Sequence, residues 1–286
     1  MKNKALLISH DIGGFRPAYH FIQQHYLNSL FSCEGPARLE LEKLGNQNIN
    51  DDLNDLVLNE VDIYITTGWQ TDFEKSHMHK LLPKYRDQIY VCLDHWVNYE
   101  ERVIYKGSKL PIKNFCVFDI GAKLKCEELW PKANVFILKN YFDLDFVRRF
   151  RAEQVAGTHD LFLSDPISEH YRDTLGYDEF DQIDFIYSKR QHLYSNDRKL
   201  IIRPHPSESP HKYEQYIDRK QIKNSILSNS SLETDFALSA NVFGASSYAM
   251  HLAILAGKNV FCSIPIPGIK SLLPHSDIRY LVDEKI

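Results

Sequence analysis

Short apolar runs alternate along the chain with longer amphipathic segments, which is the pattern of parallel strands joined by helices. Residues 5–9 predict a first strand, and Gly13-Gly14 opens a helical stretch to about residue 29. A second strand is expected over 61–66, followed by Gly68 and a helix over 71–85. Runs at 88–93, 115–118 and 135–138 bring the first half to about five strands. The stretch 143–156 is charged and helical in spacing, and Gly157-Thr158 then precedes a strand over 160–164. The domain boundary is expected there, giving a domain 1–156 and a domain 157–286. The second half repeats the alternation at 199–203, 236–243 and 259–263 and is expected to be the smaller. The fold class implied is α/β, with two Rossmann-like domains. Right-handed crossovers carry the strand carboxyl ends of each half to one edge, and two such sheets facing each other enclose a cleft.

Composition narrows the classes of function. With 286 residues and 43% apolar content the chain is long enough for two ordinary cores. A net charge of −4 with scattered basic residues argues against nucleic acid as a partner. Five widely spaced cysteines, an odd number, read as reduced, buried thiols of a cytoplasmic protein. No C-x-x-C or histidine-rich spacing suits a structural metal. The amino terminus lacks the form of a signal peptide, and no apolar run of about 18 residues is present to cross a bilayer, which leaves peripheral docking on a membrane face open.

The most informative chemistry lies at the strand ends. Arg203-Pro204-His205-Pro206 closes an apolar strand in a turn whose prolines fix the backbone and remove two donors, so Arg203 and His205 are held at a carboxyl edge. About forty residues later a strand-like run enters Gly244-Ala245-Ser246-Ser247 and then a helix pattern over 248–256. A helix entered through small hydroxyl residues offers N–H groups and a positive dipole end to an anion, so His205, Ser246 and Ser247 are expected to share a phosphate. His251, farther along that helix, is expected inside. Asp165 and Glu169, just past the strand at 160–164, are candidates for a base that takes a proton from an acceptor hydroxyl, or for helix caps.

In the first half, His10, Asp11, Gly13 and Gly14 follow the first strand, where a glycine pair lets the backbone approach a ligand. Trp69, Asp94 and His95, with Gln70, Trp96 and Asn98 beside them, suit a saccharide: the indoles its apolar face, the polar groups its hydroxyls. Asp94 and His95, being adjacent on extended chain, are not expected to act as a dyad.

On these residues the second half, roughly 160–265, resembles the nucleotide-binding half of bacterial GT-B glycosyltransferases that use CMP-activated sugars. His205-Pro206 and Ser246-Ser247 are similar to the His-Pro and Ser-Ser or Ser-Thr motifs of the sialyltransferases and Kdo transferases. The resemblance implies a histidine that contacts the nucleotide phosphate and serines that hold the same group. Leu161-Phe162-Leu163-Ser164-Asp165-Pro166-Ile167-Ser168-Glu169 resembles the strand and loop before their catalytic acid, although a clear Asp/Glu-Asp/Glu-Gly motif is missing. Teichoic-acid polymerases, which use CDP-polyols, look similar in the same places. The first half resembles proteins of bacterial surface-polysaccharide loci.

The leading expectation is a metal-independent glycosyltransferase with no cofactor, in which the histidine, the serines and a helix end neutralise the leaving phosphate. Its partners would be a nucleotide-sugar donor on the second domain (Arg203, His205, Pro206, Gly244, Ser246, Ser247) and a saccharide or glycoconjugate acceptor on the first. The alternatives are a nucleotide-sugar hydrolase or 2-epimerase, a CDP-polyol phosphotransferase, and a non-catalytic nucleotide-sugar-binding protein.

Overall fold

The computed structural model describes residues 4–46, 48–49, 53, 58–59, 61–68, 71–152, 157–193 and 198–284. The chain divides into two compact units, Met1–Phe142 and Asp143–Ile286.

The first unit contains β1 (Lys4–Ser9), β2 (Asn28–Cys33), β3 (Asp62–Ile65), β4 (Ile89–Cys92), β5 (Ile104–Tyr105), β6 (Ser108–Lys109), β7 (Asn114–Val117) and β8 (Asn134–Ile137). Six of these form a wholly parallel sheet in the order β2-β1-β3-β4-β7-β8. β5 and β6 make a separate antiparallel hairpin. Its two-residue turn has Lys106 at φ 48° and Gly107 at φ 75°, the left-handed pair that matches strand twist. Ala5, Leu6, Leu7 and Ile8 are all fully buried, as expected of a central parallel strand covered on both faces. Phe15, Ala18, Tyr19 and Ile22 of the helix Ile12–His25 pack with Ala5, Leu7 and Phe31 in the core.

The second unit contains β9 (His159–Leu163), β10 (Leu200–Arg203), β11 (Ser225–Leu227), β12 (Ser239–Gly244), β13 (Asn259–Cys262) and β14 (Arg279–Tyr280). They form a parallel sheet in the order β11-β10-β9-β12-β13-β14. Its core joins Phe162, Leu200, Ile202, Phe243 and Phe261 to Ile183, Ile186, Tyr213 and Tyr216 of the flanking helices.

Both sheets are doubly wound, and each reverses direction once. The reversal lies between β1 and β3 in the first unit and between β9 and β12 in the second. Open α/β sheets bind ligands outside the strand carboxyl ends at such a switch point.

Four expectations change. The first helix ends at His25, and 28–33 is the edge strand β2, whose Ser29 and Ser32 interrupt the apolar signal. Residues expected as strand from 236 are helical through Leu238, capped by Ser231, whose hydroxyl accepts from Thr234 N–H at 3.1 Å. The second half is not the smaller, since its sheet also has six strands. The compact units part at Phe142/Asp143, inside the helix Tyr141–Ala152, where the sequence suggested 156/157. That helix sets Phe146 and Phe150 edge-on against Phe236 of the second unit's core.

Candidate functional site

In the second unit the loops after β10, β9 and β12 leave neighbouring positions of one sheet edge. Strands lie about 5 Å apart, so the His-Pro turn and the Ser-Ser turn leave the sheet about 10 Å from each other, with the Asp165 loop between them. The Ser-Ser turn touches that loop directly, because Ser246 N–H donates to Asp165 Oδ2 at 3.1 Å. Burial pushes the Asp165 carboxyl up to about 6, against the Ser246 bond and with help from Glu208 and Glu179.

His205 is oriented through its neighbours. Its N–H donates to Glu208 Oε2 at 2.7 Å, and its Nδ1 lies 2.8 Å from Ser207 Oγ and accepts from Ser207 N–H at 3.2 Å. A backbone N–H can only donate, so Nδ1 is the unprotonated nitrogen and the proton of the neutral ring sits on Nε2. Burial lowers the imidazole pKa, against Glu208 and Glu169, which favours that neutral form. Glu208 is itself buried, with the Tyr213 hydroxyl 3.0 Å from each carboxylate oxygen and Lys212 Nζ at 2.5 Å. Lys212 also meets Glu179 at 2.7 Å and Glu169 at 3.1 Å.

The two hydroxyls of the Ser-Ser pair differ. Ser246 Oγ accepts from Leu272 N–H at 2.9 Å and lies 3.4 Å from Ser271 Oγ. Ser247 is the N-cap residue of the helix Tyr248–Leu255, yet its side chain makes no capping bond, and its buried Oγ has no hydrogen-bond partner. Gly244 ends β12, where a Cβ would come 3.0 Å from Leu163 O and 2.8 Å from Met250 Sδ. Pro206 is exposed beside His205. Arg203 turns to the helix Leu232–Leu238, bonding Asp235 Oδ2 at 2.6 Å and Ser230 O at 2.9 Å, so its charge is met by the protein. Glu169 is exposed and bound to Lys212.

His251 is buried as expected. Its Nε2 lies 3.1 Å from Asp143 Oδ2 and its Nδ1 2.9 Å from His275 Nε2. Asp143 belongs to an Asp-x-Asp triplet, Asp143-Leu144-Asp145. Here Asp143 serves Tyr248 and His251, while Asp145 pairs with Arg148 and Arg149. Among the described residues no group of three or more His, Cys, Asp and Glu is arranged to hold a metal ion.

In the first unit the ends of β1, β3 and β4 carry a different set. His10 Nδ1 meets Asp11 Oδ1 at 2.7 Å. Gly13 and Gly14 lie in the first turn of the helix Ile12–His25. A Cβ on Gly13 would come 3.0 Å from Asp94 Oδ2, and one on Gly14 2.9 Å from Thr66 Cβ. Asp94 Oδ1 pairs at 2.7 Å with Arg102, a buried residue that also donates to Thr67 O at 2.6 Å. His95 is half-buried and sits edge-on to Trp96. Trp96 is a packing residue, buried with its Nε1 donating to Asp119 at 2.6 Å, so it offers no face to a sugar. Trp69 and Gln70 lie outside the described residues.

Sequence reasoning missed Glu74, Arg102, Glu179, Glu208 and Lys212. Only Glu208 carried a local signal, lying three residues past His205 in the same turn.

All five cysteines are free and buried. No described helix is long and apolar enough to cross a membrane.

No family model matches the chain, and no curated protein matches it by sequence. Solved structures do resemble it. UDP-GlcNAc 2-epimerase from Neisseria meningitidis, bound to UDP-GlcNAc, aligns over 96% of this chain and 86% of its own, at 10% identity and a TM-score of 0.59. The Methanocaldococcus jannaschii 2-epimerase, in complex with UDP-GlcNAc and UDP, aligns over 99% and 93% at 11% identity and 0.58. An α/β-galactoside α-2,3-sialyltransferase from Photobacterium phosphoreum aligns over the whole of both chains at 12% identity and 0.50. The fold is therefore α/β and GT-B-like, built from two parallel six-stranded sheets.

Proposed function

We propose that the protein is a nucleotide-sugar-dependent glycosyltransferase whose donor binds at the β9/β12 edge of the second unit, with a CMP-sugar as the favoured donor. The observation that carries this reading is the flanking of Asp165 by two anion-seeking turns, one with His205 and the other with Ser246-Ser247. The unpartnered Ser247 hydroxyl at a helix N-terminus suits a phosphate oxygen, and so do the amides of the first turn. His205, neutral with its proton on Nε2, donates a hydrogen bond to the departing phosphate rather than a charge. That neutralisation needs no metal. Asp165 is a better base than Glu169, because a carboxyl titrating near 6 suits proton transfer near neutral pH, whereas Glu169 is tied to Lys212. In this reading Asp165 takes the proton of a carbohydrate hydroxyl as that oxygen attacks the anomeric carbon and the nucleotide leaves.

The saccharide or glycoconjugate acceptor is assigned to the first unit, through His10, Asp11, Gly13, Gly14, Trp69, Asp94 and His95. Assembly of bacterial surface polysaccharide in the cytoplasm, with peripheral membrane contact, fits the resemblance in the sequence.

A second reading, 2-epimerisation or hydrolysis of a UDP-sugar, is favoured by the 2-epimerases among the similar structures. Incubation of the purified protein with CMP-sugars and with UDP-GlcNAc, without acceptor, separates the two. Release of free nucleotide that accelerates when carbohydrate acceptors are added to a CMP-sugar supports transfer. Epimerised or hydrolysed UDP-GlcNAc with no response to any acceptor overturns it.

A further inference from the structure

The first unit's edge contains an ionisable group that the proposed transfer does not use. Glu74 begins the helix Phe73–Tyr85 after β3, and it is 1% exposed. Three neighbouring donors converge on one of its oxygens. Oε1 accepts from His10 N–H at 2.9 Å and Gly68 N–H at 3.3 Å, with the Thr66 hydroxyl at 3.2 Å. Oε2 is buried without a hydrogen-bond partner. A proton on Oε2 would leave Oε1 to accept as a carbonyl and would spare a buried charge.

Asp11 lies across Gly68 from it. A Cβ on Gly68 would come 2.9 Å from Asp11 Oδ2 and 2.9 Å from each Glu74 carboxylate oxygen, so the glycine is what lets the two groups converge. His10 orients Asp11 by holding its Oδ1. The other edge of that imidazole is closed by Gly35, where a Cβ would lie 2.4 Å from Nε2. The imidazole thus serves as the orienting group, and Asp11 Oδ2 is turned to Gly68.

We propose that Asp11 and Glu74 form a one-proton pair across the Cβ-less face of Gly68, with Glu74 held as the neutral acid and Asp11 as the carboxylate. Carboxylate oxygens that each lie 2.9 Å from one point are no more than 5.8 Å apart (2 × 2.9), a range in which each charge opposes ionisation of the other and the more buried group gives up its proton last. Burial raises the Glu74 pKa, the His10 N–H bond opposes the rise, and Asp11 adds to it. Ionisable groups on the neighbouring described elements include the Asp94–Arg102 ion pair by Gly13 and Thr67, and Asp72, Lys75 and His77 at the start of the Glu74 helix. A pair of this kind offers one accepting and one donating oxygen, which matches a hydroxyl group. Its use for the hydroxyl of a carbohydrate rests on the proposed transfer, but the shared proton does not.

Equilibrium unfolding of the ligand-free protein between about pH 5 and 8.5 tests the pair without any substrate. The folded-state pKa of Glu74 is raised above the unfolded one, so its contribution is fully present at low pH and is lost as pH rises through the folded value. Wild type should therefore lose stability with rising pH relative to Glu74→Gln, which keeps an accepting oxygen and a donor. Asp11→Asn should shrink that loss by removing the neighbouring charge, and Gly68→Ala should shrink it by forcing the carboxyls apart. Should the glutamine variant fail to fold, the 13C carboxyl resonance of Glu74 in wild type reads the protonation directly across the pH range, and its midpoint is expected above that of an unpaired glutamate and lower in Asp11→Asn. A pH-independent difference between wild type and Glu74→Gln, or a Glu74 midpoint that Asp11→Asn does not lower, overturns the pair. Failure of donor turnover would overturn the transfer reading and leave these results standing.

Discussion

In the first unit the switch-point edge is built from carboxylates and glycines, with Asp94 paired to Arg102, Asp11 to His10, and one oxygen of Glu74 to the backbone of His10 and Gly68 while its other oxygen has no hydrogen-bond partner. The second unit's edge, placed by the same topological rule, instead offers a helix N-terminus with an unsatisfied hydroxyl and an imidazole whose proton sits on Nε2. Equal topology thus carries unequal chemistry. Carboxylates gathered at a strand end favour hydroxyl groups and cations, whereas amide and hydroxyl donors favour anions. That contrast is why the donor phosphate is proposed for the second edge, and hydroxyls of the acceptor other than the attacking one for the first.

The largest expected effect that would break this contrast is on turnover. His205→Ala should lower donor turnover by about two to four orders of magnitude while leaving the unfolding midpoint near that of wild type. Wild-type rates from that variant would remove the histidine from the chemistry. Asp165→Asn should reduce turnover comparably and, because the raised folded pKa makes the ionised carboxyl destabilising above about pH 6, should stabilise the protein at pH 8 by about 1 to 2 kcal/mol. Wild-type activity should rise through the Asp165 pKa near 6 as the base ionises, and a flat pH–rate profile from 5 to 7 would exclude Asp165 from that role.

Next in size is the test of self-satisfaction at the first edge. Arg102→Leu strands Asp94 in a largely buried setting and should cost about 3 kcal/mol of stability in denaturant titration. A smaller and sharper comparison lies within the serine pair. Ser247→Ala removes the unpartnered hydroxyl and should weaken nucleotide binding by about tenfold with little change in stability, while Ser246→Ala loses the tie to Leu272 and should cost about 1 kcal/mol. Equal effects of both variants on binding would erase the distinction drawn between them.

The apolar runs made most of the central strands legible, because strands buried on both faces leave a continuous signal: Leu200-Ile201-Ile202 and Leu161-Phe162-Leu163 are read directly. Edge strands were not, since β2 mixes serines with its apolar residues and β11 is only three residues long. Of the second edge, His205 and Ser246-Ser247 stood out through their flanking prolines and small residues. The groups that set their properties did not: Glu208 and Lys212 act through contacts that only the folded chain creates. Arg203 was legible in its position but not in its pairing. Its strand-end position suggested a ligand role, but a carboxylate from a helix 32 positions later, Asp235, takes its charge. Glu74 carried no pattern at all, since one acidic residue in a helix's first turn is ordinarily a dipole partner.

The most direct measurement is unfolding of the wild-type, His205→Ala and Ser247→Ala proteins with and without CMP. At a hundredfold excess over Kd, CMP should stabilise wild type by about 2.7 kcal/mol and each variant by clearly less. An unchanged wild-type transition with CMP, CDP, UDP and GDP alike, or equal stabilisation of all three proteins, would contradict a nucleotide phosphate at the β9/β12 edge.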